Sequence, residues 1–148
     1  MPERPILILT ASTGAGHTVA AQAILAALQR RTDCGPVELI DILNWSNPLF
    51  RALYGRGYLM LVNHAPTAMG WLYDCLDRPN PGLRDRARTA IQNLNLGYAR
   101  ELLQRKQPRL IINTHFLPAE IVAQLLRRSR LNCAQVTVTT DFETHRVW

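Results

Sequence analysis

The stretch Ile6-Leu7-Ile8-Leu9-Thr10-Ala11-Ser12-Thr13-Gly14-Ala15-Gly16-His17 passes from an unbroken apolar run into a loop of small residues. Such a run, without polar alternation, suits a strand buried on both faces, as strands are in a parallel sheet. From Thr18 onward, Val19, Ala23, Ile24, Ala27 and Leu28 recur at three and four residues, the spacing of one apolar helix face, until Asp33, Cys34, Gly35 and Pro36 stop it. Strand, glycine loop and helix form the first unit.

The rest of the chain repeats that alternation. Val37 to Ile42 reads as a second strand. Asn47-Pro48 can start a helix whose apolar face runs through Leu49, Phe50, Leu53, Tyr54, Tyr58, Leu61 and Val62 to Pro66. A second helix is expected over Thr67 to Leu76, a loop at Arg78 to Gly82, and a third helix over Leu83 to Gln107 before Pro108. Leu110 to Asn113 is a further buried-type strand, Pro118 fits a helix's first turn, and Ile121, Val122, Leu125 and Leu126 form that helix's inner face. Val136 to Thr140 is the last expected strand. The pattern predicts a doubly wound α/β domain, a mostly parallel sheet with helices on both faces, joined by right-handed crossovers. If it winds outward from the first and third strands, ligands meet the carboxyl ends of those strands, where the loops Ala11 to His17 and Thr114 to Leu117 lie.

Composition bounds the function. With 148 residues the chain makes a single domain, and 47% hydrophobic against 19% charged residues is the balance of a folded protein. Seventeen basic residues outweigh eleven acidic ones for a net charge of +6, and Lys106 is the sole lysine among arginines. Arginine suits phosphates and anionic surfaces, but a basic chain also fits nucleic acid or plain solubility. Cys34, Cys75 and Cys133 lack any disulfide or zinc-site pattern and read as thiols of a reducing compartment. The N-terminus has too short an apolar stretch for a signal peptide, and Asn63, His64 and Pro66 interrupt the longest uncharged segment, so a cytoplasmic chain without a membrane span is expected.

The loop Ser12-Thr13-Gly14-Ala15-Gly16-His17 can aim backbone N–H groups and a helix dipole at an anion, or can simply be the turn that the fold needs. It is neither a P-loop nor a dinucleotide fingerprint, which would need glycine at Val19. His17 opens the helix, where the dipole disfavours a cation; a neutral imidazole there can accept a proton from a hydroxyl, though it can equally be a polar cap residue. The segments Thr114-His115-Phe116-Leu117-Pro118 and Thr139 to Trp148 follow the third and last strands, so His115, Asp141 and His145 are expected near His17. Their scattered origin does not match a metal site, and none is assigned.

Four segments, Ile6 to His17, Ser46-Asn47-Pro48, Pro108 to Glu120 and Thr140 to Trp148, together resemble the N-terminal domain of the monogalactosyldiacylglycerol synthase and processive diacylglycerol glucosyltransferase family. The resemblance implies a GT-B glycosyltransferase of two Rossmann-like domains, the N-terminal one holding a lipid acceptor at the membrane and the C-terminal one a UDP-sugar. It implies hexose transfer to the hydroxyl of diacylglycerol or a related lipid, with His17 and Asp141 at the reaction centre. Ser12, Thr13, Gly14, Gly16, His115, Phe116, His145 and Trp148 would bind acceptor or anion. No cofactor is implied, and the UDP-sugar would bind a donor domain outside these residues, in the same or a separate chain. Many relatives have a third consecutive glycine where this chain has Ala15.

Phe50, Tyr54, Tyr58 and Trp71, with Arg51 and Arg56, fit a bilayer interface at the inner face of the membrane. The eight basic residues from Arg78 to Arg109, against Asp85 and Glu101, would attract anionic lipid; alternatively the apolar groups pack on the sheet and the arginines are solvated. The competing readings are a non-catalytic lipid-binding remnant of such an enzyme and a nucleotide- or nucleic-acid-binding domain. No recognition signature supports the last, and no nucleic-acid partner is expected.

Overall fold

A computed structural model of the chain describes residues 3–52, 54 and 96–140. Its strands are β1 (Ile6–Thr10), β2 (Val37–Asp41), β3 (Leu110–Asn113) and β4 (Ala134–Thr137), and its helices α1 (Ala15–Gln29), α2 (Gly97–Lys106) and α3 (Phe116–Arg127). A 3-10 turn, Ile42–Trp45, follows β2, and the chain turns helical again from residue 48, where the Asn47 side chain accepts from the Leu49 N–H at 2.9 Å. The helix expected over Thr67 to Leu76, the loop at Arg78 to Gly82 and the first part of the helix expected over Leu83 to Gln107 lie outside the described residues.

The sheet is parallel throughout, in the order β2-β1-β3-β4. Its winding reverses between β1 and β3, the arrangement expected of a doubly wound domain. β1 to β2 crosses the sheet in one direction, and β2 to β3 and β3 to β4 in the other. Right-handed crossovers therefore place α1 on one face and α2 and α3 on the opposite face. Leu7, Leu9 and Ile111 join Ala99, Leu102, Leu103, Leu117, Ile121, Val122 and Leu125 in one buried cluster, while all five residues of β1 are buried.

Two elements depart from the sequence reading. In α1, Val19 is 61% exposed and Ala23 and Ala27 are exposed; the inward stripe instead follows His17, Ala21, Ile24, Leu25 and Leu28. Both stripes have helical spacing, and alanines on the outer face made the wrong one look apolar. The last strand starts at Ala134 and stops at Thr137, because its partner β3 ends at Asn113 and Val138 N–H makes a bond to the Asn113 carbonyl at 2.8 Å as the chain leaves.

The amino ends of the strands are tied by charge-assisted bonds. The Arg4 guanidinium donates to the carbonyls of Gln107, Pro108 and Asn132, Arg109 donates to the Cys34 carbonyl, and Lys106 pairs with Glu38. At the carboxyl ends the side-chain oxygens Thr10 Oγ1, Asn113 Oδ1 and Thr114 Oγ1 are buried without a partner among the described residues. A buried hydroxyl lacking a partner costs about 1–3 kcal/mol, and a methyl group of the same shape removes that cost. Thr10→Val is therefore expected to raise stability by about 1 kcal/mol in chemical denaturation; a loss of stability would show that the hydroxyl is satisfied in solution.

Candidate functional site at the strand carboxyl ends

The parallel register of β1 and β3 sets Leu9 beside Asn113, so the loops that follow start side by side. Thr114 N–H still bonds to the Leu9 carbonyl at 2.9 Å. The Thr114 carbonyl lies 2.8 Å from His17 Nδ1, in the first turn of α1, and Thr140 Oγ1 lies 2.6 Å from the same nitrogen. A carbonyl only accepts, so Nδ1 carries the proton and donates it to both oxygens, while Nε2 carries the ring's lone pair. Three loops from three strands thus meet on one imidazole.

His115 takes the opposite tautomer. It is the N-cap of α3, where its Nδ1 accepts from the Leu117 N–H at 3.0 Å. Its Nε2 must then be the donor, to Thr13 Oγ1 at 3.0 Å. The ring is only 2% exposed, and burial, reinforced by nearby His17, pushes its pKa down to about 3. The two imidazoles meet edge to face, ring centroids 4.5 Å apart, and Phe116 lies 4.4 Å from His115.

The glycine loop is open. Gly14, the N-cap of α1, has extended backbone and supplies no side-chain cap, and no acidic residue occupies the first turn. Among the described residues, a Cβ at Gly14 would meet only the His17 ring at 3.9 Å, and one at Gly16 nothing within 4 Å. Neither glycine is imposed by backbone angle or packing, so the turn itself does not demand them. Ser12 is exposed, and Thr13 is buried by its bond to His115.

Phe50 and Tyr54 stack at 5.2 Å, are half-buried and pack on the core, with Tyr54 6.5 Å from His115. Arg51 is exposed and donates to Asn44 Oδ1 at 3.2 Å. The outward apolar groups of this stretch are Leu49, 67% exposed, and Trp45, 39% exposed, neither singled out by residue spacing as surface groups. Asp141, His145, Trp148, Arg56, Tyr58 and Trp71 lie outside the described residues. Thr140 and the Thr114 carbonyl were not assigned as site groups; Thr140 lies in the segment expected near His17 but was not singled out within it, and the Thr114 carbonyl has no sequence signal, being backbone. Among the described residues, no group of His, Cys, Asp and Glu could hold a metal ion, Cys34 and Cys133 are free thiols, and no helix is long and apolar enough to cross a membrane.

His115 makes stability depend on pH with a definite sign. Its folded pKa lies below the 6.5 of the unfolded chain, so its contribution is complete above pH 6.5 and falls as pH drops toward 3, by about 1.4 kcal/mol per unit. Denaturation of wild type and His115→Asn at pH 7 and pH 4.5 checks this: the wild type should lose more stability than the variant, and equal losses would contradict a buried neutral ring.

Comparison with known proteins gives this geometry a family. The sequence profile described as monogalactosyldiacylglycerol (MGDG) synthase matches residues 17–148, beginning at His17. The chain is 31% identical over 156 residues to the chloroplastic monogalactosyldiacylglycerol synthase of Spinacia oleracea, covering 99% of this chain and 29% of that protein. It is 28% identical over 137 residues to the uncharacterized glycosyltransferase YkoN of Bacillus subtilis (strain 168), covering 93% of this chain and 36% of that protein. The probable chloroplastic monogalactosyldiacylglycerol synthase of Glycine max is 31% identical, with 99% and 28% covered. The chain thus spans about a third of these relatives' length or less, and no solved structure matches it significantly. The profile covers nearly the whole chain, and the chain belongs to the monogalactosyldiacylglycerol synthase family.

Proposed function

We propose that the chain is the acceptor-side domain of a glycolipid-forming hexosyltransferase, moving a hexose from a UDP-sugar to the hydroxyl of diacylglycerol or a similar lipid. The observation that carries this reading is the bond of His17 Nδ1 to the Thr114 carbonyl, which leaves the lone pair on Nε2. In the reaction His17 Nε2 takes the acceptor's hydroxyl proton, the oxygen attacks the anomeric carbon, and the bond to UDP breaks with its electron pair leaving on the diphosphate. As the proton arrives, the Thr114 carbonyl and Thr140 hydroxyl face the imidazolium through its other N–H. The donor and the groups that neutralise its diphosphate belong to a GT-B donor domain supplied by residues beyond these 148, in the same or a partner chain. Ser12, Gly14 and Gly16 form the acceptor side of the opening, where the absence of side chains on the glycines admits close approach, while Thr13 is buried against His115 behind them.

His17→Ala is expected to lower transfer from a labelled UDP-hexose to diacylglycerol vesicles by about 100-fold or more, assayed with the donor half present, while vesicle binding is kept. Unchanged transfer would remove His17 from the base role. Binding without transfer by the wild type would leave a lipid-binding module.

The membrane contact fits the region around Trp45, Leu49 and Arg51, with anionic lipid at the inner face of the membrane as partner. Full burial of a large apolar side chain contributes about 1.5–3 kcal/mol. Leu49→Asp, at the more exposed of the two apolar positions, should cut co-sedimentation with anionic vesicles by about tenfold at unchanged thermal stability; undiminished binding would move the contact elsewhere.

A further inference from the structure

We infer that His115 is a positioning residue for the His17 base, fixing its ring through the Thr13 hydroxyl, the α3 N-terminus and edge-to-face contact. The inference rests on the proposed transferase reading for what His17 does, but not for where His17 is held.

Histidine is an unusual N-cap. Serine, threonine, asparagine and aspartate are preferred because a short side-chain oxygen satisfies an orphan N–H of the first turn. His115 performs that task with Nδ1, at 3.0 Å from the Leu117 N–H, and its imidazole reaches farther than a short cap. The added reach carries Nε2–H to Thr13 Oγ1 at 3.0 Å, across 102 residues of chain, and brings the ring to within 4.5 Å of the His17 ring. One side chain therefore closes α3, anchors the glycine loop beside it and limits the space in which His17 turns. With 2% exposure and both nitrogens engaged inside the protein, it is not placed to touch an acceptor. The opposite tautomer of His17 is fixed by the bond of its Nδ1 to the carbonyl of Thr114, the residue immediately before His115, since a carbonyl accepts and never donates. A ring free to swing off that carbonyl can put its proton on either nitrogen and no longer presents a fixed lone pair.

Asparagine at 115 keeps a capping oxygen while losing the reach to Thr13 and the aromatic contact. His115→Asn is expected to fold with a lowered thermal midpoint, because the buried Thr13 hydroxyl loses its donor, so turnover is compared per folded protein below that midpoint. Its turnover should fall about 10- to 100-fold with the KM for lipid acceptor within about twofold. In the 148-residue chain itself, 15N NMR of the imidazoles should show His17 protonated on Nδ1 in wild type and a mixture of tautomers in His115→Asn. Thr13→Val, which removes the accepting oxygen at similar volume, should reproduce both effects, and Thr13→Ser should restore them to wild type. A double variant should be no worse than either single one, as for two groups acting through one bond. Unchanged His17 tautomer and unchanged kcat in His115→Asn would overturn the inference. So would a kcat loss matched by the loss of folded protein in both variants. Absence of transfer in wild type, with the tautomer shift still present, would instead defeat the transferase reading and leave the positioning role standing.

Discussion

The hydrogen bond from His17 Nδ1 to the Thr114 carbonyl depends on almost everything else in the fold. It needs β1 and β3 parallel and adjacent, so that both chains leave the sheet at the same end and their loops meet. It needs β3 to stop at Asn113, so that the Thr114 carbonyl leaves the strand and meets the first turn of α1. It also needs α1 turned so that His17 lies on the stripe that continues through Ala21, Ile24 and Leu28 toward the sheet. The apolar packing of a helix on a strand and the orientation of an imidazole are here one constraint, because a helical stripe carries its first residue wherever the later ones are drawn.

The same residue type serves two ends through its surroundings. His115 is buried, accepts a backbone N–H on one nitrogen and donates from the other, and its pKa is driven to about 3. A proton added to it would convert the capping acceptor into a donor facing the Leu117 N–H, so the fold itself opposes the charge. His17 is half-buried, and at Nδ1 it meets two oxygens that favour a donor there. That environment favours a proton on Nδ1 and makes Nε2 the basic nitrogen. Neither role follows from the histidine; each follows from the atoms around it.

Much of this was legible in residue spacing. The apolar run Ile6 to Thr10, the glycine loop and the return of strand-like segments after each helix give the parallel sheet and its switch point, and these put the loops after β1 and β3 together. The Phe50 and Tyr54 rings illustrate the limit: a helical apolar face is the same string whether it meets a bilayer or a core, and in the fold these two rings pack inward. Equally, the helix period in α1 admits two stripes when alanine occupies many positions. Choosing between them takes the tertiary packing, which buries Ala21 and leaves Val19 at the surface. The Thr114 carbonyl could not be read at all, because every residue has one and only its position in space gives it a task.

The two ends of the sheet differ in how completely their polar groups are satisfied. At the amino ends, Arg4 seals three carbonyls, Arg109 takes the Cys34 carbonyl and Lys106 pairs with Glu38. At the carboxyl ends, α1 begins on a glycine with no side-chain cap, α3 is capped by a histidine, and three buried oxygens lack partners among the described residues. An uncapped helix start and unsatisfied buried oxygens lower stability, and natural sequences retain such departures from local rules chiefly where function needs them. Their concentration at one end is an argument for the site that does not use the family relationship.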